Sequence, residues 1–96
     1  MLGGMALNDS VPETVIAFLA TARTDLEASR GSAYESFSAV SCASQVVAGT
    51  NWFVKVQVSA AGACVHLRIY EDFGGNMQVH STQLEDLTLD SPIEYF

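Results

Sequence analysis

From Trp52 onward the chain alternates. Trp52, Val54, Val56 and Val58 take one direction while Phe53, Lys55 and Gln57 take the other, and Val65, Leu67 and Ile69 then alternate with Cys64, His66, Arg68 and Tyr70. A period of two in β-branched and aromatic residues marks extended chain, because successive side chains of a strand point to opposite faces. The Ala60, Ala61, Gly62 turn between the two runs is short enough to force an antiparallel pair. Any fold for this chain must therefore contain this hairpin and must cover its apolar face.

The cover is written at the start of the sequence. Ser10 followed by Glu13 has capping-box spacing, Pro12 suits a first helical turn, and Gly31 suits the left-handed conformation that ends a helix. One helix is predicted from about Val11 to Arg30. Along it Val15, Phe18, Leu19, Ala22 and Leu26 recur at steps of three and four, with Glu13, Thr14, Thr21, Asp25 and Glu27 in other directions. The helix is amphipathic and lies on the sheet.

The segment from Phe37 to Ser44 is mixed, with Val40 and Cys42 as candidates for the core face, and pairs with the Trp52 strand across the connection from Gln45 to Gly49. After the turn signal Phe73, Gly74, Gly75, Asn76, two strand-like segments follow, Met77 to Thr82 and Leu84 to Leu89. The chain closes on Ile93, Tyr95 and Phe96. The fold class is α+β: one long helix wrapped by a four- to five-stranded antiparallel sheet. With 96 residues, positions 1–96 are expected to form a single domain.

Composition removes several function classes. Hydrophobic residues make up 49% and charged ones 16%, a globular balance. A formal charge of −7 repels polyanions, so nucleic acid is not expected as a partner. No stretch reaches the roughly 18 apolar residues of a membrane span, and Met1, Leu2, Gly3, Gly4 lack a secretory signal, so the expectation is no membrane and a cytoplasmic location. Cys42 and Cys64 are too few for a disulfide framework and read as free thiols. The glycosylation-type match Asn8, Asp9, Ser10 then has no consequence.

Candidate catalytic groups are His66, His80, Asp72, Glu85, Asp86 and Asp90, and they form no set. The histidines fall on separate strand segments without zinc-helix spacing, and each reads as a solvated histidine on an outward face. No serine lies in a nucleophile elbow, and neither cysteine has a basic neighbour or helix N-terminus to lower its pKa. The pairs Gly3, Gly4 and Gly74, Gly75 are in no phosphate-binding pattern and read as hinge and turn glycines. No catalytic residue, metal site or cofactor is expected.

One feature resists the ordinary reading. A hairpin connection should be polar, yet Val46, Val47 and Ala48 are apolar. Either the loop folds back on its own sheet, or it is an exposed binding edge. Here Gln45, Val46, Val47, Ala48, Gly49, followed by Thr50, Asn51 and an aromatic pair, resembles the signature of the stefins, the single-chain type of the cystatin superfamily. The likeness begins at Gly3, Gly4, runs through the helix, Val54, Lys55, Val56 and the block His66, Leu67, Arg68, Ile69, Tyr70, and ends in Glu94, Tyr95, Phe96.

The resemblance implies a cystatin-like fold and a reversible, tight-binding, non-covalent inhibitor of papain-like cysteine proteases of the cathepsin type. In that family three segments form a wedge that blocks the active-site cleft: the amino-terminal trunk, the signature hairpin and a second hairpin. Carried onto this chain, the protease-binding residues are Leu2, Gly3 and Gly4, then Gln45, Val46, Val47, Ala48 and Gly49, then Phe73 and Gly74. Gly3 would let the trunk enter as a substrate does and turn away before cleavage, and Gly49 would let the strand leave the tip. Gln45 is read as fixing the loop by hydrogen bonding. The family commonly has an apolar residue followed by proline in the second hairpin, whereas Phe73 is followed by Gly74, which predicts a more flexible loop. The protein is expected to be mainly a monomer, with a domain-swapped dimer as a second form. The competing reading is an interaction module of the same fold that has lost inhibition or uses its sheet face to bind another protein, motivated by the altered second hairpin and an outward face that bears Phe53, His66, Arg68 and Tyr70.

Overall fold

A computed structural model describes residues 4–96. In chain order the elements are β1 (Ala6–Leu7), α1 (Glu13–Arg30), β2 (Ser38–Val47), β3 (Gly49–Gln57), β4 (Ala63–Glu71) and β5 (Met77–Thr88). The strands form one antiparallel sheet in the order β1-β2-β3-β4-β5, so each strand lies beside its neighbours in sequence. One helix packs on this open sheet, the α+β architecture expected from the residue patterns and the cystatin-like fold that the resemblance implies.

The helix begins two residues later than its spacing suggested, and the capping box is not used. Pro12 caps it with φ −58° and ψ 145°, and no side chain accepts from the first turn. Proline disfavours helical backbone in the residue before it, so Val11 cannot join the first turn and Ser10 is left too far upstream to cap it. The far end ends on Gly31 at φ 74°, whose N–H donates to the Glu27 carbonyl at 3.0 Å. The descent to the sheet is then clamped by two side chains of α1. Glu27 accepts the Tyr34 amide at 2.6 Å, Arg23 donates to the Tyr34 carbonyl at 2.8 Å, and the two pair with each other at 3.1 Å.

Val15, Leu19 and Ala22 of α1 press on Val54, Val56, Val65, Leu67 and Ile69, with Phe18 and Leu26 packed at the margin. Cys42 belongs to this core, but Val40 does not and is exposed. The register of β2 against β3 shifts between Ala39 and Ser41, and this irregularity puts Ala39 rather than Val40 against the helix. The two segments expected after Asn76 are a single strand, β5, which stays paired to β4 through register shifts and Asp86 at φ 60°.

The largest departure concerns the other face of the sheet. Phe53 and His66 were expected to point outward, and both are buried, at 0% and 1% exposure. The carboxyl-terminal segment crosses over them. Tyr95 and Phe96 each place a ring 5.7 Å from that of Phe53, Phe96 stacks on His66, and Lys55 donates to the Leu89 carbonyl at 2.7 Å. The centre of the sheet is thus covered on both sides, while Arg68, half-buried at the margin of the cover, donates to the Tyr95 hydroxyl at 3.4 Å and Tyr70 stays half-buried.

Candidate protein-binding edge

Strands β2 and β3 continue into the signature segment itself. Gln45 pairs with Asn51, Val46 with Thr50 and Val47 with Gly49, leaving Ala48 as the single linking residue. The reversal needs Gly49 at φ 109°, backbone that side chains rarely adopt. It also needs the space: a Cβ there would collide with the Glu71 carbonyl and stand 2.8 Å from the Tyr70 hydroxyl. The glycine is therefore demanded by β4 of this chain, before any partner is considered.

The loop does not fold back on its sheet. Val46 is 73% exposed, Ala48 is exposed and Val47 half-buried. Gln45 by contrast is buried and accepts from Asn51 across the hairpin at 3.2 Å. On the helix side of the tip, Trp52 donates its indole N–H to Glu71 at 2.9 Å, and on the outer side the Tyr70 hydroxyl donates to the Ala48 carbonyl.

Thr50 pairs with Glu71, so the β4–β5 turn lies beside this tip. At its crest Phe73 is 88% exposed, followed by the exposed Gly74. The looseness expected without proline is replaced by a different lock. Asp72 accepts the amides of Gly74 at 2.8 Å and Asn76 at 3.0 Å and the side chain of Asn76 at 3.2 Å. Gly75, at φ 85°, closes the turn by donating to the Asp72 carbonyl at 3.0 Å. The Asn76 amide above all, then its side chain and the Gly74 and Gly75 amides, hold the Asp72 carboxyl below the usual aspartate range.

The amino-terminal chain arrives at the same end. Ala6 pairs with Ser44 and Leu7 with Ala43, so an antiparallel chain traced back from Ala6 runs toward Val46, with Gly4 exposed. Leu2 and Gly3 lie outside the described residues. Three segments remote in sequence therefore converge on one edge. Val46, Val47, Ala48, Phe73 and Gly74 contribute accessible surface to it, whereas Gly49 is buried at the turn and shapes the edge from within, and none of the six is an acid, base or nucleophile.

The titratable groups lie elsewhere. His66 sits in the covered face, where burial pushes its pKa below the ordinary histidine value, opposed by Gln83. His80 stacks on Tyr70 at the surface of β5. Burial pushes the Cys42 and Cys64 thiols up, and Lys55 only partly offsets this at Cys64. Among the described residues no three His, Cys, Asp or Glu side chains gather as a metal site, and no helix is long and apolar enough to cross a membrane. Sequence reasoning missed Tyr70, Asn51 and Asp72 as supports of the edge. Alternation placed Tyr70 on the face of Arg68, but only the pairing of β3 with β4 brings it to Ala48.

Comparison with known proteins agrees with this geometry. The cystatin domain family matches residues 4–90. Stefin-1 of Mus musculus is 33% identical over 97 residues, covering 99% of this chain and 98% of that protein. Cystatin-B of Oplegnathus fasciatus is 30% identical over 99 residues, covering 100% and 97%. Cystatin-A1 of Dictyostelium discoideum reaches 46% over a shorter stretch of 57 residues, 59% of this chain and 58% of that protein. A helix on a five-stranded antiparallel sheet, the stefin-type signature at its hairpin and end-to-end similarity lead to one conclusion: the chain belongs to the cystatin family, whose proteins are inhibitors and not enzymes.

Proposed function

We propose that the protein is a reversible, tight-binding inhibitor of papain-like cysteine proteases of the cathepsin type, acting without covalent chemistry. The observation that carries this is the pair of apolar side chains, Val46 and Phe73, held exposed on adjacent turns that are each locked by hydrogen bonds. Rigid apolar projections bind a cleft by burying surface at little ordering cost, typically within an interface of about 1,600 Å² in total. Leu2 enters the unprimed side of the cleft, and Gly3, with Gly4 beside it, lets the trunk turn away before a peptide bond reaches the catalytic cysteine. Val46, Val47, Ala48 and Gly49 press on the rim, Gln45 holds their hairpin, and Phe73 with Gly74 forms the third contact.

Titration of papain and cathepsins with the purified protein tests this. The expected outcome is stoichiometric inhibition reversed by dilution, and absence of inhibition at micromolar concentration across several such enzymes would sink the reading. Burial of Phe53 and His66 under Tyr95 and Phe96 leaves Arg68 and Tyr70 as the part of the outer sheet face that a non-inhibitory interaction module could use, and partner binding that survives Val47→Asp would favour that reading. Two free, buried cysteines support a reducing, cytoplasmic setting. The working form is the monomer. A dimer made by opening the hairpin would draw Val46 and Ala48 into a continuous strand, so a purified dimer that inhibits as well as the monomer would contradict this part.

A further inference from the structure

We propose that Tyr70 is a positioning residue of the binding edge, a strut that fixes the Ala48 carbonyl and so holds the signature tip in its binding shape. The proposal rests on the inhibitory reading above. Tyr70 belongs to β4, two strands away from β2, yet its hydroxyl donates to the carbonyl of the one residue that links β2 to β3. Ala48 is also the residue at which the ladder stops, since Val47 already pairs with Gly49. A turn of this kind has no further ladder bond to fix its outermost peptide, and the Tyr70 hydroxyl supplies one from outside the hairpin.

Two neighbours make the strut stiff. The Tyr70 ring stacks on His80 of β5, with centroids 5.1 Å apart and planes 20° from parallel. On its other side the ring and hydroxyl occupy the space that a Cβ at position 49 would fill, at 3.0 and 2.8 Å. Gly49 therefore has a second purpose besides its backbone angle: it is the seat of the Tyr70 side chain. A line of contacts thus runs from β5 through β4 to the tip, opposite the Trp52–Glu71 hydrogen bond on the helix side. A tip ordered before encounter loses less entropy on binding, which raises affinity without any contact between Tyr70 and the partner.

The test compares wild type, Tyr70→Phe and His80→Ala by papain affinity, melting temperature and backbone order parameters in the free protein. Tyr70→Phe keeps the ring and removes only the hydroxyl. Loss of one hydrogen bond's net worth predicts a dissociation constant raised about 5- to 10-fold. The Ala48 and Gly49 amides should fall from the rigid range near ~0.85 toward ~0.6, with those of Val54 and Leu67 unchanged. His80→Ala leaves the hydroxyl and frees the ring, so a smaller rise of about two- to threefold is expected. Unchanged tip order in Tyr70→Phe, unchanged affinity despite a mobile tip, or a loss of order shared by the core would each overturn the strut. Failure of wild type to bind papain instead removes the functional reading and, with it, the strut's role in binding.

Discussion

At the scale of the residue, Gly49 is the position with least freedom. Its φ of 109° and the Glu71 carbonyl leave no room for a methyl group, so Gly49→Ala must bend the tip or displace β4. A loss of about 2 kcal/mol in urea-unfolding stability is expected, in the range for backbone forced out of an allowed region, together with weakened inhibition. Val46 is the contrary case. Being 73% exposed, it contributes little to the core, so Val46→Asp should leave the unfolding midpoint nearly unchanged. It should weaken papain binding by at least about tenfold, the scale of a hot-spot residue. Equal losses of stability and affinity in that variant would mean that Val46 is part of the fold rather than of the edge.

At the scale of the element, the β4–β5 turn shows how a chain can replace one ordering device by another. Proline orders a loop by restricting its backbone, whereas Asp72 orders this one by accepting from Gly74 and Asn76. The two differ in pH dependence. Hydrogen bonds to the ionised carboxylate lower the Asp72 pKa in the folded state, so its contribution is fully present above the ordinary aspartate value. It is lost as pH falls through the lower folded value. Amide resonances of Gly74 and Asn76 should therefore broaden or shift together in acid, below the usual aspartate range, while those of β3 persist. Asp72→Asn should show the looser turn already at neutral pH. The replacement is hidden in the sequence, where Asp72 is only a candidate catalytic carboxylate that joins no set, and only the closed turn shows that its oxygens face Gly74 and Asn76.

At the scale of the whole molecule, the carboxyl-terminal segment turns a one-sided sheet into one covered on both sides. Phe53 and His66 are buried with the rings of Tyr95 and Phe96 lying over them. Deleting Tyr95 and Phe96 should lower stability by about 2–3 kcal/mol, the scale of re-exposing one large aromatic side chain, as read by chemical denaturation. The same cover makes His66 a pH-sensitive point. Its folded pKa is lowered by burial, so the unfolded chain binds its proton first, and the contribution of neutral His66 is complete above the unfolded value. Stability should then fall as pH drops below about 6.5, the ordinary histidine value. The slope in that window should flatten in His66→Phe. An unchanged slope would mean that another group carries the dependence.

What the sequence alone determined is the set of properties that repeat locally. Alternation identified β3, β4 and their hairpin, three- and four-residue spacing picked the buried face of α1, and Gly31 marked its end, because each reads the backbone of its own segment. The apolar tip at Val46, Val47 and Ala48 was legible too, since it violates what a connection should be. Tertiary structure decided the rest. Strand pairing set the turn that carries Phe73 beside the signature tip and brought Tyr70 to Ala48, and the path of the last residues buried His66, which alternation places outside. A periodicity shows that a strand has two faces, but which distant segment covers the second face depends on where the chain returns, and no local pattern records that.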